Sequence, residues 1–165
     1  MVYRFNYLFL TDGSKRYNCT IKDLHDRSVI VTVIGKEITA ELAKVTLQKA
    51  IDSQPGIDLT KLMLHCDQGS QLTSQEFTSY YASLGLTQSV NKAGYPYNIA
   101  SMVRYFNTLK NELIYLRYYH TDKELTESIG EFDMFTITTR DYMSSTIIER
   151  HSRLVMRLHK PYKKF

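Results

Sequence analysis

A single carboxylate marks the place where this chain could bind a metal ion. Asp67 follows a short apolar run, Leu62 to Leu64, and stands just before Gly69 in the stretch His65-Cys66-Asp67-Gln68-Gly69. An α/β enzyme presents a metal ligand in this way, with an acid between a buried strand and a glycine turn. Because hard divalent cations prefer carboxylate oxygens, Asp67 is the first candidate ligand.

The residues around and after Asp67 resemble a known family. Residues 62–77 resemble the second acidic motif of bacterial insertion-sequence transposases whose catalytic core is of the retroviral integrase type. Residues 91–100 and 104–112 resemble the segment that carries the last acid of that family. The family has thirty-five residues between these two acids, and when residues 68–102 are taken as those thirty-five, the position of the last acid is Val103.

The resemblance also locates the family's first acid, on the opening strand. The matching stretch here is Arg4-Phe5-Asn6-Tyr7-Leu8, so Arg4 stands where that acid is expected. The family's strand-transfer chemistry implies two divalent ions, Mg²⁺ or Mn²⁺, held by three acids. With Arg4 and Val103 at two of these positions, Asp67 is the surviving acid. We therefore expect weak metal binding or none, and an inactive DNA strand-transferase.

Other residues near these positions could replace or support the missing acids, but a structural explanation is available for them. Asp23 and Asp26 fall at a turn, where capping or turn chemistry is the ordinary explanation. Glu112 lies nine residues beyond Val103 and on the opposite helical face, so it is a poor replacement. Val103 itself is expected to be core or to line the cleft. His65 is either a residue that supports the metal site or a hydrogen-bonded core histidine.

The elements that must position these residues can be predicted from periodicity and caps. Residues 4–10, 17–22 and 28–34 read as three consecutive strands, the third too continuously apolar for a solvated edge. A helix capped by Thr39 is expected to use Leu42, Val45, Leu47 and Ile51 as its apolar positions. A strand over 62–65, a helix over 74–83 and a strand over 87–90 follow.

Two further helices complete the predicted fold. One, from Ile99, places Met102, Val103, Phe106, Leu109, Leu113 and Leu116 on an apolar stripe. The other begins at a capping box from Thr121 to Glu124. The resemblance implies a ribonuclease-H-like α/β fold, with a mixed five-stranded sheet and flanking helices. Residues 1–131 form the predicted core, and residues 132–165 a divergent basic extension.

Composition fits one ordinary globular domain. The 165 residues are 43% hydrophobic and 23% charged, with no apolar run long enough to span a membrane. No secretory signal opens the sequence, so we expect a cytoplasmic protein without membrane partners. Cys19 and Cys66 have neither metal-ligand spacing nor the density of a disulfide scaffold, and we interpret them as ordinary thiols.

Positive charge concentrates at the end of the chain. Six cations and no acid fall in residues 150–165, so the remaining residues are net negative despite the overall charge of +4. DNA is the expected partner, together with a second copy or an active transposase. The candidate phosphate contacts are Lys92, Arg104, Lys110, Arg150, Arg153 and Arg157. The alternatives to a transposase core are a non-catalytic DNA-binding or oligomerising regulator and a decayed fragment.

Overall fold

The strands of this protein form one mixed sheet. A computed structural model describes residues 1–25, 27–66, 69–90 and 97–141. The strands are β1 (Val2–Phe9), β2 (Lys15–Lys22), β3 (Val29–Gly35), β4 (Met63–Cys66) and β5 (Thr87–Val90). Their order across the sheet is β3-β2-β1-β4-β5, in which β1, β2 and β3 pair antiparallel and β4 and β5 continue parallel to β1. The mixed sheet with flanking helices is confirmed.

The position of β3 corrects one prediction. The strand was expected away from a solvated edge, yet it is the outermost strand beside β2. Its apolar residues pack into cores on both faces, Val29 and Ile34 on one and Ile30 and Val31 on the other. A continuous apolar run therefore indicates that both faces of the strand are covered. It does not indicate whether the edge of the strand pairs with another strand.

Four α-helices flank the sheet: α1 (Ala40–Asp52), α2 (Gln75–Ser83), α3 (Tyr97–Glu112) and α4 (Asp122–Asp141). Thr39 caps α1 as predicted, and its hydroxyl accepts a hydrogen bond from the Leu42 amide at 3.0 Å. The buried face of α1 differs from the prediction, since Ala43, Thr46, Leu47 and Ala50 are buried and Val45 is exposed.

Each face of the sheet has its own core. Tyr3, Cys19 and Ile21 point toward α1 and α2, where they pack with Leu47 and Phe77. Val2 and Leu8 belong to the other core, with residues of α3 and α4 that include Met102, Leu109 and Ile129. Because side chains alternate along a strand, the even-numbered residues of β1 face α3 and α4.

The junction between α3 and α4 is tied to the β1–β2 hairpin. The Thr11 amide and hydroxyl both donate to the Tyr119 carbonyl at 2.9 Å, and Arg16 forms a salt bridge with Asp122. The predicted capping box is confirmed, because the Glu124 amide donates to Thr121 and the Glu124 carboxylate accepts from the Thr121 amide. The helix continues through the boundary predicted after residue 131, and Phe132 and Asp133 are buried.

Two predicted properties can be compared directly with the described residues. Cys19 and Cys66 are both buried, and neither forms a disulfide within the described residues. No helix within the described residues is long and apolar enough to cross a membrane.

A buried carboxylate joins α4 to α3 and to the sheet. Asp133 accepts hydrogen bonds from the Tyr105 hydroxyl at 2.6 Å and from the Thr32 hydroxyl at 2.8 Å. Burial raises the pKa of the Asp133 carboxyl to about 6, although these two bonds and the nearby Lys22 oppose the shift. One side chain therefore connects α3, α4 and β3.

We predict that Asp133 makes the stability of the fold depend on pH. Its pKa is higher in the folded chain than its ordinary value of 3.8, so its contribution is complete below pH 4 and is lost as pH rises through 6. The shift corresponds to about 3 kcal/mol. Asp133→Asn removes this titration. Between pH 4 and pH 7, the free energy of unfolding of the wild type, measured with urea, should fall by about this amount relative to that of the variant.

A matched control is Glu127→Gln on the exposed side of the same helix, where the side chain is 63% accessible. This variant should keep the wild-type profile. Parallel profiles for Asp133→Asn and the wild type would contradict the prediction.

Candidate functional site

The parallel pairing of β1 and β4 defines the candidate site. Val2 lies beside His65 and Tyr3 beside Cys66, and β4 ends at Cys66. Arg4 is therefore the first residue of β1 beyond this pairing. Asp67 is next in sequence after Cys66, and it lies outside the described residues. The pairing brings the Arg4 position close to the end of β4.

Arg4 faces the side of the sheet that α3 and α4 cover. It lies opposite Thr20 on β2, and Thr20 in turn lies opposite Thr32, which contacts Asp133 of α4. The side chain is half-buried, and its Nη1 atom is enclosed with no hydrogen-bond partner among the described residues. Such an unpartnered donor costs about 1–3 kcal/mol, so this guanidinium requires an acceptor.

Val103 is on the surface, which corrects the expectation of a core valine and is compatible with a residue that lines a cleft. It is 42% exposed, whereas the neighbouring Met102 is fully buried. The buried stripe of α3 runs through Met102, Phe106, Leu109 and Leu113, and Val103 lies about 100° around the helix from Met102. Leu116, also placed on the predicted stripe, is exposed beyond the end of α3.

The two described cations of α3 differ in their surroundings. Arg104 is exposed. Lys110 is half-buried, its ammonium lies 4.7 Å from the centre of the Tyr7 ring, and burial lowers the pKa of this group. Arg104 is thus the more accessible of the two for a phosphate. The other candidates, Lys92, Arg150, Arg153 and Arg157, lie outside the described residues.

His65 lies on the same face of the sheet as Val2. Its Nδ1 atom is enclosed with no partner in the described part of the chain, and burial lowers the pKa of the imidazole. The imidazole is therefore neutral at pH 7 and can serve as a donor or an acceptor through Nδ1, according to its tautomer.

Polar residues that the sequence reasoning missed surround Arg4. Asn18, Thr20 and Lys22 are buried on β2, and Asn6 lies opposite Asn18 on β1. Together with Arg4 and Thr32 they form what we call the polar face. A signal was present, because polar residues occupy alternate positions in both strands, and this spacing places them on one side of a sheet.

The polar face does not fit a divalent metal ion. Among the described residues, no group of three His, Cys, Asp or Glu side chains is arranged to hold one. The guanidinium of Arg4 has only N–H donors and a positive charge, so it repels a divalent cation instead of coordinating it.

The sequence matches a family model, the integrase core domain, over residues 6–96, which is more than half of the chain. The chain belongs to the integrase core domain family. Asp67 lies inside the matched segment of this integrase core, whereas Arg4 precedes it and Val103 follows it.

Curated relatives of this integrase core come from insertion sequences. It is 34% identical over 105 residues to the transposase for insertion sequence element IS904 of Lactococcus lactis, covering 60% of this chain and 40% of that protein. It is 29% identical over 139 residues to an uncharacterized 31 kDa protein of insertion element IS600 from Shigella sonnei, covering 84% and 47%. The chain thus spans less than half the length of these two relatives.

Solved structures of retroviral integrases share the fold. A simian T-cell lymphotropic virus intasome in complex with PP2A regulatory subunit B56 gamma superposes with a TM-score of 0.57 at 20% identity, covering 67% of this chain and 37% of that chain. The HTLV-2 integrase catalytic core domain in complex with magnesium gives 0.53 at 18% identity, covering 67% and 65%. The ribonuclease-H-like fold is confirmed.

We predict that position 103 tolerates an acid and position 102 does not. Val103→Glu should change the free energy of unfolding by less than about 1 kcal/mol, because the side chain reaches water. Met102→Glu buries a carboxylate in the core and should cost more than about 4 kcal/mol or prevent folding. Urea denaturation of the two variants measures the difference, and equal losses would refute this placement of α3.

Proposed function

We propose that this chain is the integrase core of an insertion-sequence transposase that has lost metal-dependent strand transfer. The observation that carries the proposal is Arg4, whose half-buried guanidinium lies on the strand next to the end of β4. In the family that the chain belongs to, this position is expected to hold the first metal-binding acid.

Electrostatics supports the loss. A guanidinium is charged at every physiological pH, so it repels a metal ion and competes with it for Asp67. At a separation of about 5 Å and an effective dielectric near 20, repulsion of a dication amounts to roughly 7 kcal/mol. We propose that Asp67 binds magnesium no better than a surface carboxylate does.

The third acid position supports the same conclusion from a different element. Val103 offers no oxygen, and it is on an exposed part of α3 where packing does not require a valine. Glu112, the last residue of α3, is exposed and two and a half turns away. Two missing acids leave too few oxygens for a pair of divalent ions.

The test is a gain of function. We expect the wild-type chain to neither cleave nor join element-end DNA with Mg²⁺ or Mn²⁺. The double variant Arg4→Asp with Val103→Glu should gain metal-dependent cleavage, because it restores the acid set. Each single variant is a control that should stay inactive. Strand transfer by the wild type at the level of the double variant would overturn the proposal, as would a micromolar magnesium site in the wild type by calorimetry.

A second candidate function is DNA binding without chemistry, alone or in an oligomer with an active transposase. The exposed Arg104 next to Val103 favours it, because a cation beside the former metal position is suited to meet a DNA phosphate. The six cations of residues 150–165 provide a further electrostatic contact in this proposal. A decayed fragment would bind no DNA even at low salt.

We predict that Arg104→Met lowers the salt dependence of duplex DNA binding. Loss of one phosphate contact should reduce the slope of log affinity against log salt by about one, and deletion of residues 150–165 should reduce it further. Lys61→Met is the matched control, since Lys61 is 83% exposed on the turn before β4 and is not a proposed contact. Equal slopes for the wild type and Arg104→Met would exclude this contact.

A further inference from the structure

The second half of β1 carries aromatic side chains that lie outside both described cores. Phe5 is the last odd-numbered residue of β1 that packs with α1 and α2, and beyond it Tyr7 is 55% and Phe9 48% exposed. The rings of Tyr7 and Phe9 are 5.9 Å apart and inclined at 77°. Tyr17 lies opposite Tyr7 on β2 and is half-buried. We call Tyr7, Phe9 and Tyr17 the aromatic platform.

Two lysines border the aromatic platform. Lys15 is exposed and lies opposite Phe9 on β2. Lys110 extends from α3 to the Tyr7 ring, where its ammonium makes the cation–π contact described above. Neither lysine forms a salt bridge within the described residues. The platform therefore combines exposed aromatic surface with positive charge, which suits a ligand that has both flat rings and negative charge.

The acids nearest in sequence to these lysines have other partners or lie on another face. Asp12, in the turn between β1 and β2, accepts a hydrogen bond from a backbone amide of the same turn at 2.8 Å. Asp122 forms its salt bridge with Arg16. Glu112 follows Lys110 by two residues, which places it about 160° away around the helix. The positive charge beside the platform is thus left for a ligand.

Both β1 and α3 lead from the candidate site to the platform. Three residues of extended strand separate Arg4 from Tyr7, a distance of about 10 Å. Seven residues of helix separate Val103 from Lys110, again about 10 Å. The described part of β4 pairs with β1 only before Arg4, so no described strand covers this edge of β1. A DNA strand that meets the exposed Arg104 therefore reaches the platform along one surface.

We propose that the aromatic platform binds unpaired nucleotides of single-stranded DNA. Bases stack on Tyr7 and Phe9, while Lys15 and Lys110 contact the neighbouring phosphates. Bases inside a duplex are hidden in their own stack, so rings on an open sheet face meet bases only where the two strands are separated. The inference deepens the second candidate function, DNA binding without chemistry, on which it rests.

The composition of the surface favours this ligand over a second protein chain. Exposed tyrosine and phenylalanine suit both kinds of partner, since aromatic side chains are enriched in protein interfaces. Lysine is depleted in such interfaces, whereas it is a regular contact of DNA phosphates. Lys15 and Lys110 therefore distinguish the two classes of partner, and they favour a polyanion.

The experiment uses a fluorescent reporter inside the platform. The chain has no tryptophan, so Phe9→Trp introduces a single indole there. We expect an oligothymidylate of about eight nucleotides, titrated at low salt without metal, to quench this indole saturably as a base stacks on it. A blunt duplex of the same length should not quench it. No quenching by the oligonucleotide, or equal quenching by the duplex, would overturn the proposal.

Met134→Trp is the matched reporter control. Met134 is 66% exposed on α4, a helix that contributes no residue to the platform. Its indole should keep its fluorescence throughout the same titration. Equal quenching of the two reporters would show unspecific contact with the oligonucleotide, and this result would contradict stacking at the platform.

Variants that remove a ring separate stacking from charge. Tyr7→Leu and Phe9→Leu keep every charge, and each should weaken binding of a labelled oligothymidylate about tenfold in fluorescence anisotropy. Tyr7→Phe keeps the ring and should bind as the wild type does. Tyr80→Leu is the control, because the Tyr80 ring also lies beside a lysine, Lys44 at 6.0 Å, but that lysine pairs with two glutamates. Equal weakening by Tyr80→Leu and Phe9→Leu would contradict the proposal.

The remaining outcomes identify what has failed. If the fluorescence of Phe9→Trp changes with protein concentration and not with oligonucleotide, the surface is an interface between copies and the proposal is wrong. Duplex binding that depends on Arg104, without quenching by the oligonucleotide, would leave the second candidate function standing and overturn only the platform. The titration contains neither metal nor a strand-transfer reaction, so its failure would also leave the proposed loss of catalysis standing.

Discussion

Two residue pairs, Val2 with His65 and Tyr3 with Cys66, determine the geometry on which the whole site depends. They make β4 parallel to β1, and a parallel neighbour requires a long crossover connection, here through α1. They are the last pairs of β1 and β4 among the described residues, and Arg4 follows directly after them. A shift by one residue would exchange the two faces of β1 and send Arg4 toward the apolar core around Phe77.

The two faces of the sheet are stabilised by different kinds of interaction. The side toward α1 and α2 is closed by apolar contacts, with Leu47, Leu64 and Phe77 fully buried. The side toward α3 and α4 combines an apolar core with the polar face, and the Asp133 carboxylate connects both helices to Thr32. A buried carboxylate is weak as a source of stability, but its directed hydrogen bonds specify one arrangement of the helices.

An arginine at position 4 and a valine at position 103 do not conflict with this architecture. Carboxylates at both positions would repel Asp67 and each other when no metal is bound, so an arginine and a valine there avoid an unfavourable interaction. Arg4 and Val103 are therefore unfavourable for binding a metal ion but acceptable for the fold.

Features decided by neighbouring residues were predictable from the sequence. The Thr39 cap and the capping box at Thr121 depend on side chains three residues from the amides that they bind, and both are confirmed. The edge position of β3 and the exposure of Val45 and Val103 depend on which elements meet in space. Periodicity predicts which side chains share one face of a helix. Whether that face is buried depends on how far the neighbouring element extends over it.

The difference between buried and exposed positions also explains how the fold can be kept while residues of the candidate site differ. Tyr3 and Met102 are fully buried or nearly so, and their sizes are constrained by the cores that they fill. Arg4 contributes to the sheet through its backbone pairing with Thr20, which is independent of its side chain, and Val103 reaches solvent. Packing of large side chains therefore constrains positions 4 and 103 less than positions 3 and 102. The sheet order of an integrase core is compatible with an arginine and a valine at these two positions.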